Sequence, residues 1–421
     1  MNKKIKLIST ILGLFLFLGA LSYWSFDRFL PQTRAKVENK QLNASQNKTE
    51  EEKQQQVGIL EFEGPKEEKC PINGELFTKE EKNIWKKRRP LMVMIENHKD
   101  ARPQSGLSKA DVVYEVIAEG GITRFMAVYY CNAVSGVKKK YDVGPVRSAR
   151  TYFLDLASEY SDYPLYAHVG GANCSAPKDP NTGRQAGPCT TKKQAQAIEQ
   201  ITSYGWNNKG SWSDLSQFSL SYKVCRREKE RTGEIKDTEH TMYCSTNELW
   251  NIAEKRGLTN LTKMNKKSWD KSFYEWSFGK SENNESLDKV KQITIPFWGD
   301  EDYQVSWEYD AEKDAYLRFN GGKKSIDFNN GKQLEAKNVL IQFTKERRSI
   351  DEHKHNLYQM IGRGKAVLLQ NGVKKEIVWS KKSRKARTIF KDSNGREVEF
   401  VPGKIWIEVV AIGAKIEYAS Q

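Results

Sequence analysis

Residues 110–131 read ADVVYEVIAEGGITRFMAVYYC. Valine, isoleucine, tyrosine and phenylalanine dominate both halves, and Gly120-Gly121 divides them. β-Branched and aromatic side chains suit a pleated surface, and glycine supplies the positive φ of a tight turn. The stretch predicts two strands around a turn. Before it, PLMVMIEN (90–97) is a short apolar run bounded by a turn, most simply a buried strand. After it, DVGPVRSARTYFLDLASEY (142–160) places Val146, Ala149, Phe153, Leu156 and Tyr160 on one helical face, with Pro145 as first helical residue. YPLYAHVGG (163–171) predicts another strand. TTKKQAQAIEQI (190–201) and STNELWNIAEKRG (245–257) predict helices, the second with Ser245 three residues before Glu248 and Gly257 at its end. Strands alternating with helices imply a mixed α/β layer.

The texture changes after GKSENNESLDK (279–289). Asn330-Gly331, Asn371-Gly372 and Asn394-Gly395 then separate β-rich runs such as NVLIQF, AVLLQ, KEIVW and KIWIEVV, and Asn-Gly is a strong hairpin signal. The expected fold class is α+β. A mixed α/β domain over 67–285 precedes a small antiparallel β-rich domain over 286–421. Upstream, IKLISTILGLFLFLGALSYW (5–24) is apolar enough to span a bilayer as a helix, with Lys3, Lys4 and Lys6 around its start. That predicts a four-residue cytoplasmic stub, a single-pass transmembrane anchor over 5–24 and an extracytoplasmic bulk. A cleaved signal peptide is the rival, but no small-x-small site precedes Tyr23 and Trp24. Residues 25–66 form a flexible tether, mostly poor in apolar side chains.

Six cysteines, all between Cys70 and Cys244, suit disulfides outside the cytoplasm, with fifteen possible pairings. Cys174 and Cys189 bracket a Gly/Pro/Asn-rich loop and form the first candidate pair. Cys225 with Cys244, and Cys70 with Cys131, follow by elimination. Zinc is the alternative, but no C-x-x-C spacing occurs, and neither a metal nor a cofactor is expected. The net charge of +15 divides into +3 over 1–66, +6 over 67–285 and +6 over 286–421. So diffuse an excess argues against nucleic acid and for anionic surfaces or polymers.

Cations are the wrong charge for a helix start, yet Arg147 and Arg150 stand there. Neither has an acidic residue four positions on, so the counter-charge comes from a tertiary carboxylate or an anionic ligand. Arg124, with Asn97 and Arg102 at the end of the first strand, completes the candidate ligand set. Glu119 and Arg124 flank the turn and could simply pair across it. If there is chemistry, Glu119 is the preferred acid or base, with His168, at a strand end before two glycines, as its partner. His353 and His355, in the charged SIDEHKHN, read as solvated. KKSRKAR (381–387) reads as a solvated hairpin or a polymer-facing tip.

RPLMVMIENHKDARPQSGLSKADVVYEVIAEGGITRFMAVYY, VGPVRSARTYFLDLASEY and YAHVGG together resemble the YerB-like family of bacteria. EHTMYCSTNELW resembles that family's Pro-His-Asn-Leu-Tyr segment, with Thr241 and Met242 in place of Asn-Leu. The 338–410 strands resemble its C-terminal β domain. The resemblance implies an envelope-located extracytoplasmic protein and a two-part domain plan, and leaves the chemistry open. This chain departs from it in having an apolar span where a lipid-attachment cysteine is expected, and in its six cysteines. Three functions follow as expectations. The first is binding of an anionic ligand such as a cell-wall glycan or polymer. The second is an envelope-glycan hydrolase or lyase using Glu119 and His168. The third is a non-catalytic envelope scaffold.

Overall fold

The computed structural model describes residues 59–420 apart from 135–136, 139–140, 177–178, 184–185, 208–211, 262–265, 280–287 and 298. The expected anchor over 5–24, most of the tether and most of the 279–289 boundary lie outside the described residues. Among the described residues no helix is long and apolar enough to cross a membrane.

The organising feature is one large mixed sheet. Its first strands are β1 (Leu91–Glu96), β2 (Val112–Glu119) and β3 (Ile122–Tyr129). Helix α1 (Thr151–Ala157), strand β4 (Leu165–His168), helix α2 (Ala197–Ser203), strand β5 (Asp214–Ser216) and helix α3 (Thr246–Lys255) follow. The later strands are β6 (Asp288–Ile295), β7 (Val305–Asp310), β8 (Ala315–Asn320), β9 (Asn338–Thr344), β10 (Gly362–Gln370), β11 (Val373–Lys381) and β12 (Ile405–Ala411). Their order across the sheet is β5-β4-β1-β3-β2-β12-β9-β10-β11-β6-β7-β8.

The predicted hairpin is β2 and β3, and Gly120 and Gly121 both take positive φ at its turn. Asn371-Gly372 turns β10 into β11 in the same way, with positive φ at both residues. Ser245 caps α3 by accepting from the Glu248 N–H, and Gly257 closes that helix with φ +79°.

The antiparallel expectation for the C-terminal half holds only in part. β9 and β12 pair in parallel, and β12 pairs in parallel with β2 of the N-terminal half. The reason lies in their composition: β12 and β9 are almost wholly buried, the mark of a strand covered on both faces. Asn-Gly turns specify only hairpin neighbours, so they carry no information about this pairing. Strands β1, β2, β4, β5, β9 and β12 therefore all run the same way, with β3 as the antiparallel insert.

Two helix expectations are corrected. Pro145 does not start a helix. It follows a cis peptide bond, and Val146 and Arg147 donate their N–H groups to Met242 O and Met94 O. That pairing holds 146–149 extended until α1 begins at Thr151 with Arg150 at its N-cap. The 190–201 helix is a short 3-10 turn at Lys193–Ala195 followed by α2.

The core contains ionic groups as well as apolar ones. Trp206, Trp307, Trp379 and Trp406 are fully buried, and each indole N–H finds an acceptor. At the β2–β12 seam, Arg318 donates to both oxygens of Glu115 at 2.8 and 2.9 Å and packs over Trp406 and Phe125. Glu408 stands opposite Glu115 in the parallel register. A second ionic centre joins Glu159 of the N-terminal half to Lys381 and Arg387 at 3.1 Å each. Arg387 lies 3.6 Å from the Trp276 ring centroid. The two ends of KKSRKAR are thus buried, contrary to the solvated reading, because Glu159 and the aromatic rings draw them in.

Candidate functional site

The common direction of six strands collects their carboxyl ends along one edge of the sheet, where ligands of open α/β sheets commonly sit. Glu96, Asn97 and His98 close β1 or follow it, Glu119 closes β2, and His168 closes β4. Most of the residues singled out from the sequence come to this edge, in two groups.

The first group centres on Glu119. Arg150 pairs with its Oε1, and Arg124 reaches its Oε2 at 3.4 Å across the hairpin. Arg124 also donates to Ser148 O and Arg150 to Ala149 O. Burial opposes ionisation of Glu119, but Arg124 and Arg150 outweigh it and hold the carboxyl below the usual range. Two guanidiniums therefore share one carboxylate, with Glu119 24% exposed.

His355 joins this group, with Nε2 4.0 Å from Glu119 Oε1 and Nδ1 2.9 Å from Asp351 Oδ2. The solvated reading of His355 is corrected: Asp351, four residues earlier, turns the ring inward, and the residue is buried. His168 spends both ring nitrogens on Gly170 O and Asp214 Oδ1, at 2.5 and 2.7 Å. The histidine that faces Glu119 is thus His355. A charged loop gave no sequence signal for it.

The second group centres on Glu96. Arg147 Nε lies 3.1 Å from Oε1, and His240 Nδ1 lies 3.0 Å from Oε2. The His98 and His240 rings stack at 4.7 Å with 10° between their planes. Asn97 and Arg102 are tied into the fold nearby. Asn97 Nδ2 donates to Thr123 Oγ1 and Asn320 Oδ1, and Arg102 donates to Asn97 O and Asp302 O.

A different feature lies at the amino ends of β9 and β12. There a cleft of about 740 Å³ is lined by Lys109, Lys313, Lys332, Lys337 and Lys404, with Glu75 and Glu335 as its acids. Five cations against two carboxylates leave an excess of +3. Lys404 Nζ donates to Leu107 O and Ser108 O, and Lys337 Nζ to Lys313 O and Asp314 O. An ammonium has three donors, and two of them fix the position of each of these lysines. Burial pushes Lys404 down to about 8, which leaves it mostly charged at neutral pH. Sequence reasoning missed this cleft, whose lysines are scattered over nearly 300 positions.

Three disulfides staple the described chain: Cys70–Cys131, Cys174–Cys189 and Cys225–Cys244, the pairing expected from the loop and by elimination. Cys70 and Cys131 also flank buried Asp111, but as a disulfide they offer no thiolate to a metal.

The class this defines is a disulfide-stapled protein whose two sequential halves complete one mixed sheet. The chain belongs to the YerB-like family. Residues 74–259 match the family described as "Protein of unknown function (DUF3048) N-terminal domain", and 293–407 match its C-terminal counterpart. "Putative lipoprotein YerB" of Bacillus subtilis (strain 168) is 27% identical over 356 residues, covering 81% of this chain and 86% of the relative. The crystal structure of YerB protein from Bacillus subtilis superposes with a TM-score of 0.60 at 24% identity, over 83% of this chain and 100% of that one. That likeness bears on the fold alone.

Proposed function

We propose that the protein is held at the outer face of a bacterial cell membrane and binds an anionic envelope polymer in the lysine cleft. Three disulfides support an oxidising, extracytoplasmic location. The apolar run 5–24 supports single-pass anchoring, and the printed description of the relative as a lipoprotein supports membrane attachment by another route. The observation that carries the ligand is the pair of Lys337 and Lys404, each fixed by two carbonyls in the lining of a cleft with a +3 excess. Arg124 and Arg150 share Glu119, and Arg147 pairs with Glu96, so each of these arginines already has a carboxylate partner within the fold. Point-charge ammonium groups suit phosphate or carboxylate chains of varied geometry.

The test is binding of polyphosphate and of poly-glutamate to the full chain, by calorimetry over a salt series. Binding that weakens with salt, and weakens at least about tenfold in Lys332→Ala/Lys337→Ala, supports the reading. A double variant that binds both polymers as the wild type does, or a wild type that binds neither at low salt, overturns it.

A second reading keeps chemistry at the carboxyl edge. Asp351 holds His355 by Nδ1 and directs Nε2 toward Glu119 and its arginines, an orienter–base arrangement beside cations. Purified cell wall digested with wild type and with His355→Gln decides it for that substrate. Fragments released by the wild type alone support a hydrolase or lyase, and no release by the wild type removes it.

A further inference from the structure

We propose that His98, Asp100 and His240 form a binding site for a first-row transition metal of the zinc class, oriented from behind by Glu96. One ligand atom from each of the three lies within 4.8 Å of the others. His98 Nδ1 and Asp100 Oδ2 are 3.3 Å apart. A tetrahedral zinc site with bonds of about 2.0–2.1 Å has ligand–ligand edges of about 3.3 Å, so this imidazole and carboxylate already stand at that spacing. Closing the remaining gap takes a movement of about 1.5 Å together with a rotation of the His98 ring out of its near-parallel stack, because imidazole lone pairs lie in the ring plane. Asp100 is more than half exposed, whereas His98 is a quarter exposed, accepts from the Asp100 N–H through Nδ1 and lies in the stack with His240, so metal binding requires its ring to leave both contacts.

His240 is the fixed member. It is 7% exposed and its Nδ1 lies 3.0 Å from Glu96 Oε2. A proton on Nδ1 donated to that carboxylate leaves the lone pair on Nε2. Carboxylate–histidine–metal relays are built this way, and the outer carboxylate sets the ring's tautomer and orientation. The other oxygen of Glu96 faces Arg147, so the carboxylate is itself held from two sides. Two imidazoles and one carboxylate suit zinc, nickel, copper or iron rather than magnesium or calcium, which want oxygen alone. Three protein ligands beside exposed Asp100 leave a coordination position open to solvent, as in exchangeable or catalytic sites.

The test uses the untagged full chain after treatment with a chelator, titrated with Zn2+ by calorimetry and with Co2+ by visible absorption. The expected result is one equivalent of either metal, with tetrahedral-type Co2+ bands. His98→Ala, on the exposed side, should lose at least about a hundredfold in affinity while its melting temperature stays that of the wild type. Glu96→Gln should lose about 10–100-fold, as outer-shell partners do. A wild type that takes up neither metal overturns the proposal. So does a His98→Ala variant that binds as tightly as the wild type, which would leave the stacked rings a packing contact.

Discussion

Glu408 offers the sharpest quantitative test of how the two halves are joined. It faces Glu115 across the β2–β12 register, and both are fully buried. Arg318 supplies one positive charge and spends it on Glu115. Burial first, and then the Glu115 carboxylate, push Glu408 well above the usual carboxylate range, so Glu408 is the member of the pair that keeps a proton. In the unfolded chain the same side chain ionises near pH 4.3. Above that pH the unfolded chain binds fewer protons than the fold, so stability falls as pH rises until the raised folded value is reached. The stabilisation is fully present below the unfolded value and costs about 1.4 kcal/mol per pH unit thereafter. Glu408→Gln supplies a neutral isostere whose carbonyl can accept from Trp307 Nε1 as Glu408 Oε1 does. Urea unfolding of both proteins at matched pH cancels the other titrating groups. Above the unfolded value the wild type should lose stability relative to the variant as pH rises, at a limiting slope of about 1.4 kcal/mol per pH unit. A difference that does not change with pH, or a wild type that gains on the variant as pH rises, would mean that Glu408 is ionised and the charge count at this seam is wrong.

The chain-entropy model ranks the disulfides by sequence separations of 61, 19 and 15. Their removal should cost about 4.3, 3.2 and 3.0 kcal/mol in that order, and calorimetry of the three double-serine variants showing Cys174–Cys189 as the largest loss would contradict it. Arg387→Lys keeps the charge beside Glu159 but gives up the stacked guanidinium on Trp276. It should lower stability by about 0.5–2 kcal/mol, and a melting temperature equal to the wild type would show that the stacking contributes nothing. Glu119→Gln leaves Arg124 and Arg150 without their carboxylate and should cost about 3–5 kcal/mol in denaturant unfolding. An unchanged midpoint would show that Glu119 is not needed to hold the arginines and is free for chemistry.

What was legible in the sequence had local causes. Gly120-Gly121 and Asn371-Gly372 carry their turns in their own φ values, and Ser245 caps its helix through a bond three residues long. Other features are decided by partners far away in the chain. Pro145 obeys the local rule for a helix start, yet Met94 O and Met242 O, each about 50 or 100 residues distant, take the neighbouring N–H groups and hold the backbone extended. Arg147 and Arg150 show the boundary between the two kinds of evidence. Helical spacing required a counter-charge from outside the segment, and Glu96 and Glu119 supply it from the ends of β1 and β2. Which carboxylates would do so depended on β1 and β2 running the same way, and no local pattern encodes that. The lysine cleft lies wholly on the far side of this boundary. Lys109, Lys313, Lys332, Lys337 and Lys404 are indistinguishable in sequence from the other members of a diffuse positive excess. They line one cleft only because β12 pairs in parallel with both β2 and β9, bringing the amino ends of strands from both halves to one edge. The evenness of charge along this chain is therefore a poor guide to its evenness in space, and an argument from charge distribution has to be made on the sheet edge rather than on the sequence.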